Sequence, residues 1–376
     1  MVAPTSRSIP SLDGLRAYSV LLVVAAHSLE YMRGNPGVFP FVQLGTLALL
    51  GVDTFFVISG FLISRLLLKE LNSKGSIRLR TFYFRRFFRI FPPFYAYLAV
   101  VAILWAAGLA HVDRWAIPYA GLYIWDYAMR PGSWLVGHTW SLSLEEQFYV
   151  LWPPVLALLG KRRSMYAAFG VILLSPLVRL ISYFVYPPWR FQVGMLLHTR
   201  LDTIMFGCVL ALLWDNQRFQ RAVESVLRPE LFGCCILYLM VVSPLIEPSF
   251  RPRFSWLIGY TLHGLLIALV LLYVVKKPLS LPGRALNYGP VRHIGVISYS
   301  LYLWQQMFAG PHGLMFPLNV VPIFVCAELS YWLIERPSFR VRDMFELRFA
   351  KPRSAMGCLN EVPAVPEMAR TQTEGV

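Results

Sequence analysis

Ten apolar runs, most of them close to the length that crosses a bilayer, constrain this chain more than any single motif. A hydrocarbon core takes about 20 helical residues, and runs of that order lie at approximately 11–32, 42–65, 90–109, 138–160, 165–186, 194–214, 231–247, 254–275, 293–310 and 317–335. Composition agrees: 57% of the 376 residues are hydrophobic and 15% are charged, against roughly a quarter charged in soluble domains. An aqueous globule is thereby excluded. Five cysteines at irregular spacing exclude a secreted disulfide scaffold, and Cys208, Cys234, Cys235 and Cys326 read as small packing residues. No Cys or His cluster has zinc-ligand spacing, so no metal is expected.

The formal charge of +15 would suggest nucleic acid in a soluble protein, but cytoplasmic loops of membrane proteins carry the same excess. With the amino terminus cytoplasmic, Lys and Arg divide roughly 26 inside against 6 outside, and reversing the orientation inverts that ratio. The expectation is an all-α polytopic membrane protein of about ten transmembrane helices with both termini cytoplasmic and no nucleic-acid partner. The first run is read as a retained helix rather than a signal peptide, because Asp13 and Arg16 interrupt its start. No internal repeat is visible. Residues 117–129 are expected to lie at the interface or re-enter, residues 1–343 to form one membrane domain, and residues 344–376 a disordered cytoplasmic tail.

Ionisable groups within the spans are the functional candidates, since each costs at least about 2.5 kcal/mol to insert. Arg16 and His27 are eleven residues apart on the first helix, which at about 100° per residue returns to nearly the same face, roughly 16 Å along the axis. Asp13 shares that face and can pair with Arg16. Asp53, Glu145, Glu146, Arg179, Arg200 and Asp202 fall at a similar depth to His27 on other runs, so one shared polar pocket is expected. The alternative for Arg179, Arg200 and Asp202 is a structural ion-pair network. Arg86 and Arg89, one turn apart in RFFR, are either a fork for a phosphate group or part of a basic segment lying on anionic lipid.

Together these segments resemble the bacterial acyltransferase-3 family of integral-membrane O-acyltransferases. The resemblance is carried by SLDGLRAYSVLLVVAAHS, GVDTFFVISGFLIS, FYFRRFFRIFPPFY, TWSLSLEEQFYVLWP, RLDTIMFGCVLA, ISYSLYLWQQ and WLIERP, in family order from about residue 9 to 337. It implies ten core helices and a cytoplasmic acyl-CoA donor, usually acetyl-CoA. The implied acceptors are lipopolysaccharide, exopolysaccharide or peptidoglycan sugars, Nod factors or macrolides. Arg16 and His27 match the family's essential Arg-x10-His, Arg86 and Arg89 its Arg-x-x-Arg, and Glu145 and Glu146 its acidic patch. Two departures matter. Many relatives carry His where this chain has Gln305, so no second catalytic His is assumed there. The stretch after the last span is expected to be too short for the SGNH hydrolase-like domain that some relatives append.

The resulting expectation is a multi-pass enzyme of the bacterial inner membrane, moving an acyl group from acyl-CoA to a hydroxyl of a carbohydrate or lipid-linked glycan. His27 suits general-base work, with Glu145 or Glu146 holding its tautomer. Direct transfer and an acyl-histidine both stay open. Arg16, Arg86 and Arg89 would bind the donor, and Ser59 is a candidate oxyanion donor. Alternatives are a macrolide or small-molecule acyltransferase, and a proton-coupled exporter of an anionic substrate.

Overall fold

Helices account for every regular element in the computed structural model, which describes residues 9–29, 44–128, 133–190, 192–250, 255–310 and 313–349. Three long helices come first: α1 (Pro10–Leu29), α2 (Leu44–Lys74) and α3 (Leu79–Ala106). Short pieces α4 (Ala116–Gly121) and α5 (Trp134–Gly137) lead into α6 (Thr139–Val185), which is broken at Gly160, where φ is 70°. α7 (Leu197–Leu213) and α8 (Gln217–Val226) follow, then α9 (Pro229–Leu237), α10 (Ser243–Phe250) and α11 (Tyr260–Lys276). The chain closes with α12 (Leu281–Leu286), α13 (Gly289–Val296), α14 (Ser298–Phe308), α15 (Val320–Ser330) and α16 (Arg336–Phe349).

Six segments combine the length and apolarity of a membrane span: Pro10–Leu29, Gly45–Lys74, Leu79–Ala106, Trp134–Val185, Pro229–Ile246 and Leu257–Lys276. A seventh arises if α7 and α8, bent by 114°, are taken together. Among the described residues these seven segments cover eight of the ten apolar runs, because Trp134–Val185 holds two of them. The runs at 138–160 and 165–186 are two helices on either side of the kink at Gly160, the run at 293–310 is divided between α13 and α14, and that at 317–335 falls on α15 and the π-helical turn that continues it into α16. The boundary expected at residue 343 falls inside α16, whose Glu346 pairs with Arg85 of α3. Residues 350–376, expected to be disordered, lie outside the described residues. Residues 116–127 form α4 and a 3-10 turn, with Asp126 buried against Gln147 of α6.

Close backbone approach organises the bundle, because in lipid small residues let helices meet without a hydrophobic driving force. A Cβ added at Gly60 on α2 would sit 2.1 Å from the Ile204 carbonyl oxygen, and one added at Gly207 on α7 would sit 2.0 Å from that of Val57. These reciprocal glycines clamp α2 to α7. α1 is clasped likewise: Gly14 backs onto Leu286 of α12, and Gly295 of α13 backs onto Asp13. α1 therefore runs through the middle of the bundle, between α2 on one side and α13 and α14 on the other.

Candidate active site

A cavity of about 390 Å³ opens between α1, α2, α3, α6 and α14. Arg16 and Asp13 reach it from α1, Ser59 from α2, Arg86 and Arg89 from α3, and Glu145, Glu146 and Tyr149 from α6. The basic stretch at the start of α3 is divided by helical phase. Arg85 points outward to Glu346 at 2.6 Å, whereas Arg86 and Arg89, one turn apart, turn inward to the cavity. The Arg86 guanidinium lies 3.7 Å over the Tyr149 ring. Tyr149 donates its hydroxyl to Glu145 Oε1 at 2.7 Å, and the Ser59 hydroxyl donates to the same oxygen. Ser59 is thus committed to a carboxylate, which removes it as the expected oxyanion donor.

Ion pairs among the described residues close elsewhere: Arg85 on Glu346, Arg179 on Asp202, Arg200 on Asp53, and none closes on Arg16, Arg86 or Arg89. Three guanidinium groups therefore share one cavity without a committed carboxylate. Asp13, Glu145 and Glu146 line the same cavity and offset this charge at longer range, which leaves the guanidinium forks open to phosphate oxygens.

His27 lies outside this cavity, farther along α1. Its Nδ1 sits 2.9 Å from Gln305 Oε1 on α14, and its ring packs edge-on against Trp134 at 5.4 Å. Glu145 and Glu146, expected to hold its tautomer, face the arginine cavity instead, and the group at Nδ1 is the Gln305 amide oxygen. The link between α1 and α14 is fixed by backbone as well. Gly310 ends α14 with φ of 94°, a left-handed conformation that favours glycine, and donates its N–H to the His27 carbonyl at 3.1 Å.

Next to this pair stands a second one. Gln306 Oε1 accepts from the backbone N–H of His138 at 3.0 Å and lies 2.5 Å from His138 Nδ1. The hydroxyls of Ser141 and Tyr302, both on the cavity wall, are 2.5 Å apart, and each lies 3.1 Å from the His138 carbonyl oxygen. The cavity thus ends one polar layer short of the two imidazoles.

Asp53, Arg179, Arg200 and Asp202 were expected in a pocket with His27 or in a structural network; the structure gives the network. Arg179 Nη1 meets Asp202 Oδ2 at 3.0 Å and the Thr199 carbonyl at 2.8 Å, and Thr261 bridges Arg179 Nη2 and Asp202 at 2.6 Å each. Arg200 pairs with Asp53, lies 3.7 Å over the Tyr260 ring, and has His263 beyond it at 3.4 Å from Asp53 Oδ2. Every charge is paired and buried, which knits α2, α6, α7 and α11 together. Among the described residues no three His, Cys, Asp or Glu side chains converge on a metal position.

His138, Gln306, Tyr302 and Glu335 escaped the sequence reading. Glu335 is buried, bonded to Ser300 at 2.5 Å, and lies within electrostatic reach of Arg16 and Arg89. His138 stands directly before TWSLSLEEQ and was open to the same argument as His27. The glutamines and Tyr302 carry no charge to flag them.

Comparison with known proteins gives the family. The acyltransferase-3 family profile, described as an acyltransferase domain, matches residues 9–334. YrhL of Bacillus subtilis is 30% identical over 88% of this chain and 55% of its own length. Peptidoglycan O-acetyltransferase OatA of Listeria monocytogenes is 28% identical over 88% of the chain and 55% of its own length. The O-acetyltransferase OatA of Staphylococcus aureus is 27% identical over 88% and 57%. The chain spans about half the length of these relatives. No solved structure matches it.

Proposed function

Because the chain belongs to the acyltransferase-3 family of membrane acyltransferases, we propose that it moves an acetyl group from cytoplasmic acetyl-CoA to a hydroxyl of a cell-surface carbohydrate. Peptidoglycan is the first acceptor to consider, since it stands in the name of a relative. The observation that carries this reading is the cavity in which Arg16, Arg86 and Arg89 stand without committed carboxylates. A thioester donor with a pyrophosphate is the anion such a fork suits. The charge distribution supports a bacterial cytoplasmic membrane with both ends of this domain inside, which puts the basic start of α3 on the side where acyl-CoA is made.

In this reading the donor's phosphates rest on Arg86 and Arg89, with Arg16 deeper, and the thioester points up α1 toward His27. The acceptor oxygen attacks the thioester carbonyl while His27 takes the hydroxyl proton. The new C–O bond forms as the C–S bond breaks, and the proton passes to the leaving thiolate. Gln305 Oε1 accepts the Nδ1–H of His27, which leaves the Nε2 lone pair for the proton. Glu145, bonded by Ser59 and Tyr149, steadies the ring beneath Arg86 and so serves the donor site.

The test is donor affinity by calorimetry, in one detergent, for wild type and for Arg86→Lys and Arg89→Lys. Lys keeps the charge and loses the planar fork, so each variant is expected to bind acetyl-CoA about tenfold or more weakly, a loss of about 1.4 kcal/mol. Unchanged affinity in both, with size exclusion showing intact protein, contradicts the fork.

A further inference from the structure

Buried polar groups in native proteins find partners, and one that does not calls for a ligand or an ordered water. His138 is 3% exposed, and all but one of its polar atoms are satisfied. Its backbone N–H donates to Gln306 Oε1 at 3.0 Å, which fixes the amide: an N–H can only donate, so the atom facing it is the oxygen. That oxygen also lies 2.5 Å from His138 Nδ1 and can only accept, so Nδ1 carries the proton. The carbonyl oxygen of His138 takes the Tyr302 hydroxyl at 3.1 Å. What remains is Nε2, an unprotonated acceptor, buried, and with no donor among the described residues.

On the adjacent residue the complementary atom is left over. Gln305 is fully buried and its Oε1 faces His27 at 2.9 Å, while its Nε2, a donor, has no acceptor among the described residues. One orphaned acceptor and one orphaned donor therefore belong to two imidazole–glutamine pairs held by consecutive residues of α14. A hydroxyl is the small group that donates and accepts at once. The two imidazoles are also close enough for electrostatic coupling.

Resting on the acyl-transfer reading above, we infer that His138 Nε2 and Gln305 Nε2 form the acceptor subsite, holding a second hydroxyl of the carbohydrate while its neighbour reacts at His27. A polyol satisfies both positions and a simple alcohol satisfies one. The acceptor class is therefore selected by this layer, whereas the arginine cavity selects the donor. His138 is a specificity-determining residue in this arrangement, and its partner Gln306 positions it.

Two substitutions separate this role from a structural one. His138→Asn places an amide nitrogen where Nδ1 stood, keeps the bond to Gln306 and removes the acceptor at Nε2. His138→Gln supplies an amide oxygen near Nε2 and gives up the Nδ1 contact. The full chain in nanodiscs is assayed with radiolabelled acetyl-CoA as donor and chitotetraose as acceptor. The Asn variant is expected to raise the acceptor KM about tenfold, the size of one lost hydrogen bond, with donor KM and Tm unchanged. The Gln variant is expected to stay within about threefold of wild type, on the same scale. The reverse order, with Asn near wild type and Gln impaired, overturns the subsite and leaves His138 a structural residue holding an ordered water. A loss that extends to donor affinity and Tm overturns it equally. Wild-type protein that forms no ester on the oligosaccharide refutes the carbohydrate-transfer reading itself, and the subsite falls with it.

Discussion

His27 is held by an amide, and this changes what its neighbours can be asked to do. A carboxylate partner stabilises the imidazolium as well as the tautomer, whereas the Gln305 amide oxygen at Nδ1 acts on tautomer and orientation. In the proposed mechanism His27 takes the acceptor proton, so His27→Ala is expected to remove nearly all acetyl transfer while leaving abundance in the membrane unchanged. Activity within about threefold of wild type, a loss of about 0.65 kcal/mol, contradicts an essential base. The glutamates belong to the other end of the site. Glu145→Gln is expected to weaken acetyl-CoA binding through Tyr149 and Arg86 rather than to slow a saturated enzyme, which donor KM and kcat measured separately would reveal. Arg16, His27, Arg86 and Arg89 were legible in the sequence because helical periodicity alone puts charges on one face. The partner of His27 was not, because Gln305 lies 278 residues away and is uncharged. The depth argument that grouped His27 with Glu145 and Glu146 failed for a related reason: residue counts along separate helices leave their relative heights undetermined by several ångströms.

Helix contacts carry their own consequences. The α2–α7 clamp rests on Gly60 and Gly207, each of which meets the opposing backbone where a Cβ would stand. Backbone cannot swing aside as a side chain can, so Gly207→Ala is expected to destabilise the bundle by about 1–3 kcal/mol. A lower Tm in nanodiscs would show this, and an unchanged Tm would mean that the helices separate without cost. The segment between α3 and α6 has a pH dependence instead. Burial pushes the Asp126 carboxyl up from 3.8 to about 7, against the opposing hydrogen bond from Gln147. A raised carboxyl favours the protonated folded state, so its contribution is fully present below about pH 4 and is lost as pH rises through about 7. Asp126→Asn should therefore match wild type in Tm near pH 4 and exceed it at pH 8. Equal Tm values at both pH values would contradict that sign. Most long helices were visible as apolar runs, including the two that meet at Gly160, but the short helices α12 to α14 were not, since breaks in a span depend on local backbone that hydropathy does not encode.

Across the whole molecule, charge is sorted by task. Buried pairs around Asp53, Arg200, Arg179 and Asp202 tie α2, α6, α7 and α11 together, the arginine cavity opens between α1, α2, α3, α6 and α14, and the two imidazole–glutamine pairs stand beyond its inner end. In the proposed reading the donor rests in the arginine cavity and the acceptor meets His27 and His138 in the layer beyond its inner end, an arrangement suited to passing an acyl group from one face of a membrane toward the other. The most direct test compares ester-linked acetyl groups, by mass spectrometry of surface glycans, in parent cells, gene-deleted cells, and deleted cells carrying either wild type or His27→Ala. The account predicts loss on deletion, restoration by wild type, and no restoration by His27→Ala expressed at equal abundance in the membrane. Ester content unchanged by deletion, or fully restored by the His27→Ala protein, would contradict it.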